Sequence, residues 1–266
     1  MNIILVHGIL GFRSRFGIDY FRAVAQHFRE KQLQVFVPEL DPTEGIELRG
    51  TQLQDQIQAA FNAGDLDPNQ KTHIVAHSLG GLDSRYVLSP ANPRPTQFRI
   101  RSLTTIGTPH RGAPIADVLD NPAELLPFPH LAFPSVPNFL EPALAALGIS
   151  LNGMRDLTTR ACRTFSEKYL DNPNVAYFSS AGSGRPGFPQ TSAVFLLFHH
   201  YISGATGQAN DGMVPVSSAQ WGIFDQATWP GDHGELIGYN LDNLLSPPAF
   251  DYLARYDQIV ARAAAL

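Results

Sequence analysis

The sequence predicts an α/β fold: a mostly parallel central sheet, flanked by helices, with an apolar lid or cap insertion. Three observations predict it. Short apolar runs alternate with helix-period segments along the chain, the pattern of a parallel sheet covered on both faces. The 266 residues are 44% hydrophobic, enough for one large core, so residues 1–266 are expected to form a single domain. One Pro-rich stretch, residues 113–148 and at most to about 160, breaks the rhythm and reads as the insertion.

The elements follow in chain order. "IILV" (3–6) is a continuous apolar run, as expected of a strand buried on both faces. Phe16, Tyr20, Phe21, Val24, Ala25 and Phe28 then recur at helical spacing, with Arg22, Gln26 and Arg29 on the water side. "QVFVPEL" (34–40) is a second strand, ended by Pro38, and Leu53, Ile57 and Phe61 mark a second helix. "THIVAHS" (72–78) is a strand; "LGGLDSRYVLS" (79–89) is a helix stopped before Pro90. "IRSLTTIGTP" (100–109) and "NVAYFSS" (174–180) are further strands. The last 18 residues, 249–266, form an amphipathic helix through Tyr252, Tyr256, Ile259 and Val260. Inside the insertion, "EPALAALG" (141–148) is a short helix with Pro142 in its first turn and Gly148 as its stop. Its stripe of Leu140, Leu144 and Leu147 faces Ala-rich positions, and such a helix must bury both sides or meet something apolar.

Composition excludes several function classes. Net charge is −5 and Lys and Arg are scattered, so no nucleic-acid partner is expected. The longest strongly apolar run, "AVFLLF" (193–198), is far short of the roughly 18 residues a membrane span needs. Cys162 is the single cysteine, which precludes an internal disulfide. Met1 and Asn2 lead straight into the first strand without the basic and apolar regions of a secretory signal. The expectation is a cytoplasmic chain or a mature or leaderless secreted one.

The chemistry is concentrated in "IVAHSLGG" (74–81). A serine hydroxyl is a weak nucleophile until a base takes its proton. A sharp strand-to-helix turn lifts it above the sheet, and that turn demands small residues two before and two after it. Here they are Ala76 and Gly80 around Ser78. A helix N-cap serine satisfies the same local pattern, so the elbow alone does not decide. "VHGILGF" (6–12) supplies a second turn at a strand end, where the Ile9 N–H joins that of Leu79 as candidate oxyanion donors. The chain order Ser, acid, His then selects Asp211 in "ANDGMVP" (209–215) and His233 in "PGDHGELIG" (230–238). Asp225 and Asp232 are rival acids; Asp232 adjoins His233 and is less able to reach its ring.

Taken together, "VHGILGF", "AHSLGG", "TTIGTPHRGAP" (104–114), "NDGMVP" and "DHGELIG" resemble, in order, segments of the bacterial triacylglycerol lipases of the α/β-hydrolase fold, the Pseudomonas, Burkholderia and Proteus type. The resemblance implies Ser78 as nucleophile, Asp211 and His233 as its partners, and the Ile9 and Leu79 N–H groups as the oxyanion hole. It also implies a mobile lid after "GTPHRGAP", transient contact with a lipid–water interface, and a lipid or ester substrate. Leu140, Leu144 and Leu147, with Phe195 and Phe198 of "SAVFLLFHHYIS" (192–203), are candidate acyl-contact residues. Two features depart from the pattern. Ala76 replaces the first elbow glycine, as in Bacillus lipases. Members often carry calcium beside the histidine loop; Glu235 occupies one ligand position, yet residues 172–210 contain no Asp or Glu to supply the other. No metal or other cofactor is therefore expected. The readings open at this point are a lipase, a short-ester carboxylesterase, an acyltransferase of the same fold and, remotely, a non-catalytic lipid-binding protein.

Overall fold

The computed structural model describes residues 1–9, 20–120, 152–185, 191–243 and 246–266. Six strands form one parallel sheet: β1 (Asn2–Val6), β2 (Gln34–Phe36), β3 (Thr72–His77), β4 (Ser102–Ile106), β5 (Ala176–Ser180) and β6 (Ile223–Phe224). Their spatial order is β2-β1-β3-β4-β5-β6. In register, Val6 lies opposite Ala76, and His77 opposite Ile106. The carboxyl ends of β1, β3 and β4 therefore meet along one edge, where ligands bind in open α/β sheets.

Among the described residues the helices are α1 (Arg22–Glu30), α2 (Ile46–Ala63), α3 (Leu79–Leu88), α4 (Pro114–Asp120), α5 (Asn152–Asp156), α6 (Thr159–Lys168), α7 (Ala193–Thr206), α8 (Val216–Ala219) and α9 (Tyr252–Ala264). Strand alternation divides the core into two layers. Ile4, Val6, Ile74, Ala76 and Leu103 pack on one face with α2, α3, α4 and α6. Ile3, Leu5, Val75 and Ile106 pack on the other with α1 and α9. Central strands buried on both faces are what the continuous apolar runs require. Local chemistry sets the helix ends. The Thr158 hydroxyl accepts from the Ala161 N–H at 3.2 Å to start α6, and the Asp251 carboxylate accepts from Ala254 N–H at 3.0 Å to start α9. Gly64, in the left-handed conformation at φ 83°, closes α2.

Of the expected insertion, residues 113–120 are described. Ala113, Ile115, Ala116 and Val118 are buried in the main core, and the Ala113 N–H donates to the Leu157 carbonyl at 2.9 Å. The α4 helix packs against α5, α6 and α7. Residues 121–151, which include Leu140, Leu144 and Leu147, lie outside the described residues. At its other end the chain returns through α5 and α6. Neither helix was picked out from sequence, although Cys162, Phe165 and Tyr169 recur at helical spacing and all three are buried. The two-residue β6 was also missed: Ile223 is exposed and no alternation marks it.

Candidate active site

Ser78 sits between β3 and α3 with φ 55° and ψ −133°. Among the described residues only it and Gln32 are non-glycine residues with positive φ. Such a conformation costs about 1–3 kcal/mol and persists only when its surroundings enforce it. They do so here. The Ser78 N–H donates to the Ile106 carbonyl at 3.0 Å, and its carbonyl accepts from the Gly81 N–H at 3.0 Å and the Thr108 hydroxyl at 2.7 Å. Gly80 must be glycine, since a Cβ there would lie 2.6 Å from the Val6 carbonyl oxygen and 2.7 Å from that of His7. Ala76, the departure at the elbow, is fully buried, and its methyl fits the core layer under α3.

The turn after β1 lies against the serine. A Cβ on Gly8 would stand 2.6 Å from Ser78 Cβ and 3.1 Å from its Oγ. His7 fixes the peptide that follows. Its Nε2 accepts from the Leu40 N–H at 3.0 Å, so its Nδ1 carries the proton and donates to the Gly8 carbonyl at 2.8 Å. Burial, helped by Arg49, lowers the His7 pKa to about 3, so the ring is neutral. A trans peptide sets the Ile9 N–H opposite the Gly8 carbonyl, on the side away from His7. Leu79 is the first residue of α3, where a helix leaves its N–H without an intrahelical partner. Arg49 ties the two turns together. Wholly buried, it pairs with Asp83 of α3 at 2.7 Å and donates to the His7 carbonyl at 2.8 Å.

The acid and the base come from loops beyond β5 and β6. Asp211 is wholly buried; its Oδ1 accepts from the Met213 and Val214 N–H groups at 2.9 and 2.7 Å. Its Oδ2 accepts from His233 Nδ1 at 2.8 Å, and the His233 N–H donates to the Asp211 carbonyl at 2.8 Å. Because the carboxylate can only accept, Nδ1 holds the proton and Nε2 keeps its lone pair. The His233 ring lies 4.4 Å, centroid to centroid, from that of His77, the residue before the serine. No hydrogen bond joins Ser78 Oγ to His233 in this structure; such bonds are often long without substrate and tighten when it binds.

The rival acids have other work. Asp225 accepts from Ser180 at 2.5 Å and Arg262 at 2.7 Å. Asp232 takes four donors: Ser192 N–H and Oγ at 2.7 and 2.6 Å, and the Gly234 and Glu235 N–H groups at 3.0 Å each. It thereby pins the histidine loop to the start of α7. Glu235, at the position the resemblance assigns to calcium, turns its Oε2 to the Asp232 N–H at 3.1 Å. Burial and then the Asp232 charge push its carboxyl up to about 7. The residues do not fit a calcium ion: the Asp232 carboxylate is taken up by four donors, and Glu235 Oε2 by the Asp232 N–H.

Of the two α7 candidates, Phe195 reaches the site: its ring stands edge-on to His233 at 6.3 Å and packs over Gly212. Phe198, one turn on, packs instead against the main core. Sequence reasoning passed over Tyr20, His77, Arg49, Asp83 and Ser192. For His77 the signal was its place beside Ser78; for the others nothing local marks a partner 34 to 57 residues away.

Comparison with known proteins bears on the fold and the family. Residues 2–118 match the family model described as "Putative serine esterase (DUF676)". Triacylglycerol lipase 2 of Saccharomyces cerevisiae is 29% identical over 224 residues, 84% of this chain and 63% of that protein. A triacylglycerol lipase of Burkholderia plantarii is 32% identical, over 72% of this chain and 51% of its own. The crystal structure of Staphylococcus hyicus lipase superimposes with a TM-score of 0.74 at 17% identity, covering 98% of this chain and 94% of that one. The last likeness shows the α/β-hydrolase fold. The chain spans 35–63% of the length of the first curated relatives it matches. It is a relative of the triacylglycerol lipases and carries their fold.

Proposed function

We propose that this α/β-hydrolase is a serine carboxylic ester hydrolase acting on acylglycerol-type lipid esters. The observation that carries the reading is the buried Asp211–His233 hydrogen bond beside a strained, elbow-borne Ser78. Ser78 Oγ attacks the ester carbonyl as His233 Nε2 takes its proton. Asp211 holds the tautomer and stabilises the imidazolium. The Ile9 and Leu79 N–H groups receive the oxyanion; losing one such donor costs roughly 3 kcal/mol in transition-state stabilisation. His233 returns the proton to the departing alcohol, leaving an acyl-Ser78. Water, deprotonated by the same imidazole, then releases the acid.

The lipid preference rests on two supports. The relatives named above are called triacylglycerol lipases, and Phe195, beside His233, leads an apolar helix whose Val194 and Leu197 are exposed. In this reading the Leu140, Leu144 and Leu147 stripe touches the lipid–water interface. The test is hydrolysis of p-nitrophenyl esters from acetyl to palmitoyl, together with emulsified triolein, using Ser78→Ala as the blank. Long-chain and emulsion turnover, abolished in the blank, is expected. Activity confined to short soluble esters would make the protein an esterase, and equal turnover in the blank would refute the serine mechanism.

A further inference from the structure

Beneath the triad lies a chain of groups that the reaction as written does not use. The Tyr20 hydroxyl is 2.7 Å from His77 Nδ1 and would stand 2.8 Å from a Cβ on Gly8. The Tyr20 ring also lies 5.7 Å from those of both His7 and His77, so it fills the space between the oxyanion turn and the elbow. The Tyr20–His77 contact is a hydrogen bond whose direction follows the His77 tautomer. His77 Nε2 is buried and has no hydrogen-bond partner. Desolvation keeps His77 neutral, so it places no charge against the His233 imidazole 4.4 Å away.

We propose that Tyr20 and His77 are a positioning pair for the ester hydrolysis inferred above. Their hydrogen bond joins a phenol packed against Gly8 of the oxyanion turn, under Ser78, to an imidazole packed against the His233 ring. This proposal rests on the serine-hydrolase reading. The link holds the oxyanion donor and the base at a fixed separation. Neither side chain touches substrate; both act through Gly8 and His233. A neutral ring is required at position 77, because a cation there would oppose the imidazolium that forms on His233.

The experiment combines kinetics with ¹⁵N-histidine NMR on the full chain. Tyr20→Phe keeps the ring and removes the hydroxyl; His77→Phe keeps a flat ring and removes both nitrogens. Each is expected to lower kcat for p-nitrophenyl butyrate about tenfold, with KM within about twofold, the pattern of an interaction realised in the transition state. Inactivation by a fluorophosphonate should slow by the same factor. The double variant should be no slower than the worse single, since both residues belong to one link. In the wild type, His77 should show one neutral tautomer fixed by its hydrogen bond to Tyr20, and that signature should be lost in Tyr20→Phe. Additive kinetic losses, or a fall in Tm with kcat unchanged, would overturn the pair, as would a His77 tautomer signature that is the same in Tyr20→Phe as in the wild type. The NMR result stands even if the wild type hydrolyses no ester, in which case it is the functional reading that fails.

Discussion

The two halves of the site are held in different ways. Ser78 and Gly8 lie at the ends of neighbouring strands, and main-chain geometry fixes them: a positive φ, three hydrogen bonds on the elbow, and a glycine pressed against two carbonyls. Asp211 and His233 lie on loops past the sheet, and side chains fix them: the Asp211 carboxylate gathers three donors and Asp232 four. Ser78 is therefore as rigid as the core beneath it, whereas His233 is as rigid as a few buried carboxylates.

The largest expected effect attacks the elbow. Gly80→Ala drives a Cβ into the Val6 and His7 carbonyls, and neither backbone can yield without moving β1. A loss of about 3 kcal/mol is expected by urea denaturation, within the range of overpacked cores, together with slower fluorophosphonate labelling of Ser78. Stability within about 0.5 kcal/mol of wild type would show that the elbow is more pliant than its contacts imply.

Asp232→Asn should do less globally and more locally. One amide cannot satisfy four donors, and each buried donor left unpaired costs about 1–3 kcal/mol. Amide exchange at Gly234 and Glu235 should accelerate while β3 and α3 stay protected. If β3 exchanged equally fast, the halves would be one cooperative unit and the contrast would fail.

The smallest effect is the pH dependence of stability, and it sharpens the contrast through sign. Glu235 has a raised pKa in the folded state, so its contribution is present below about 4.5 and lost as pH rises through about 7. His7 and His73 are depressed to about 3 and about 4, so theirs is present above 6.5 and lost as pH falls. Between pH 4.5 and 7 the two trends oppose each other, and the histidines set the net rise of Tm toward neutrality. Glu235→Gln should steepen that rise by at least about 3 °C and leave the profile below about pH 4.5 unchanged. An unchanged rise between pH 4.5 and 7 would mean that burying this carboxylate costs the loop nothing.

Legibility in the sequence followed the same divide. The elbow, the His-Gly turn and the central strands were readable, because small residues at fixed offsets and continuous apolar runs are local signals. Asp211 and His233 were readable by chain order, whereas the partners of the rivals Asp225 and Asp232 were not: all three stand in polar loops, and what the rivals bind lies far off in the chain. Whether residues 113–118 join the core was not readable, since an apolar segment beside prolines reads alike whether it covers the core or stands off it.

By itself the sequence determined the fold class and the small residues that let a strand turn sharply into a helix at Ser78. These follow from steric and hydrophobic rules acting over a few residues. Only the tertiary structure decided what Asp225 and Asp232 bind, that Glu235 folds back on its own loop, and that Tyr20 reaches His77 across 57 residues. Those contacts join segments remote in the chain, and no periodicity encodes a hydrogen bond whose two ends are brought together by the packing of the sheet.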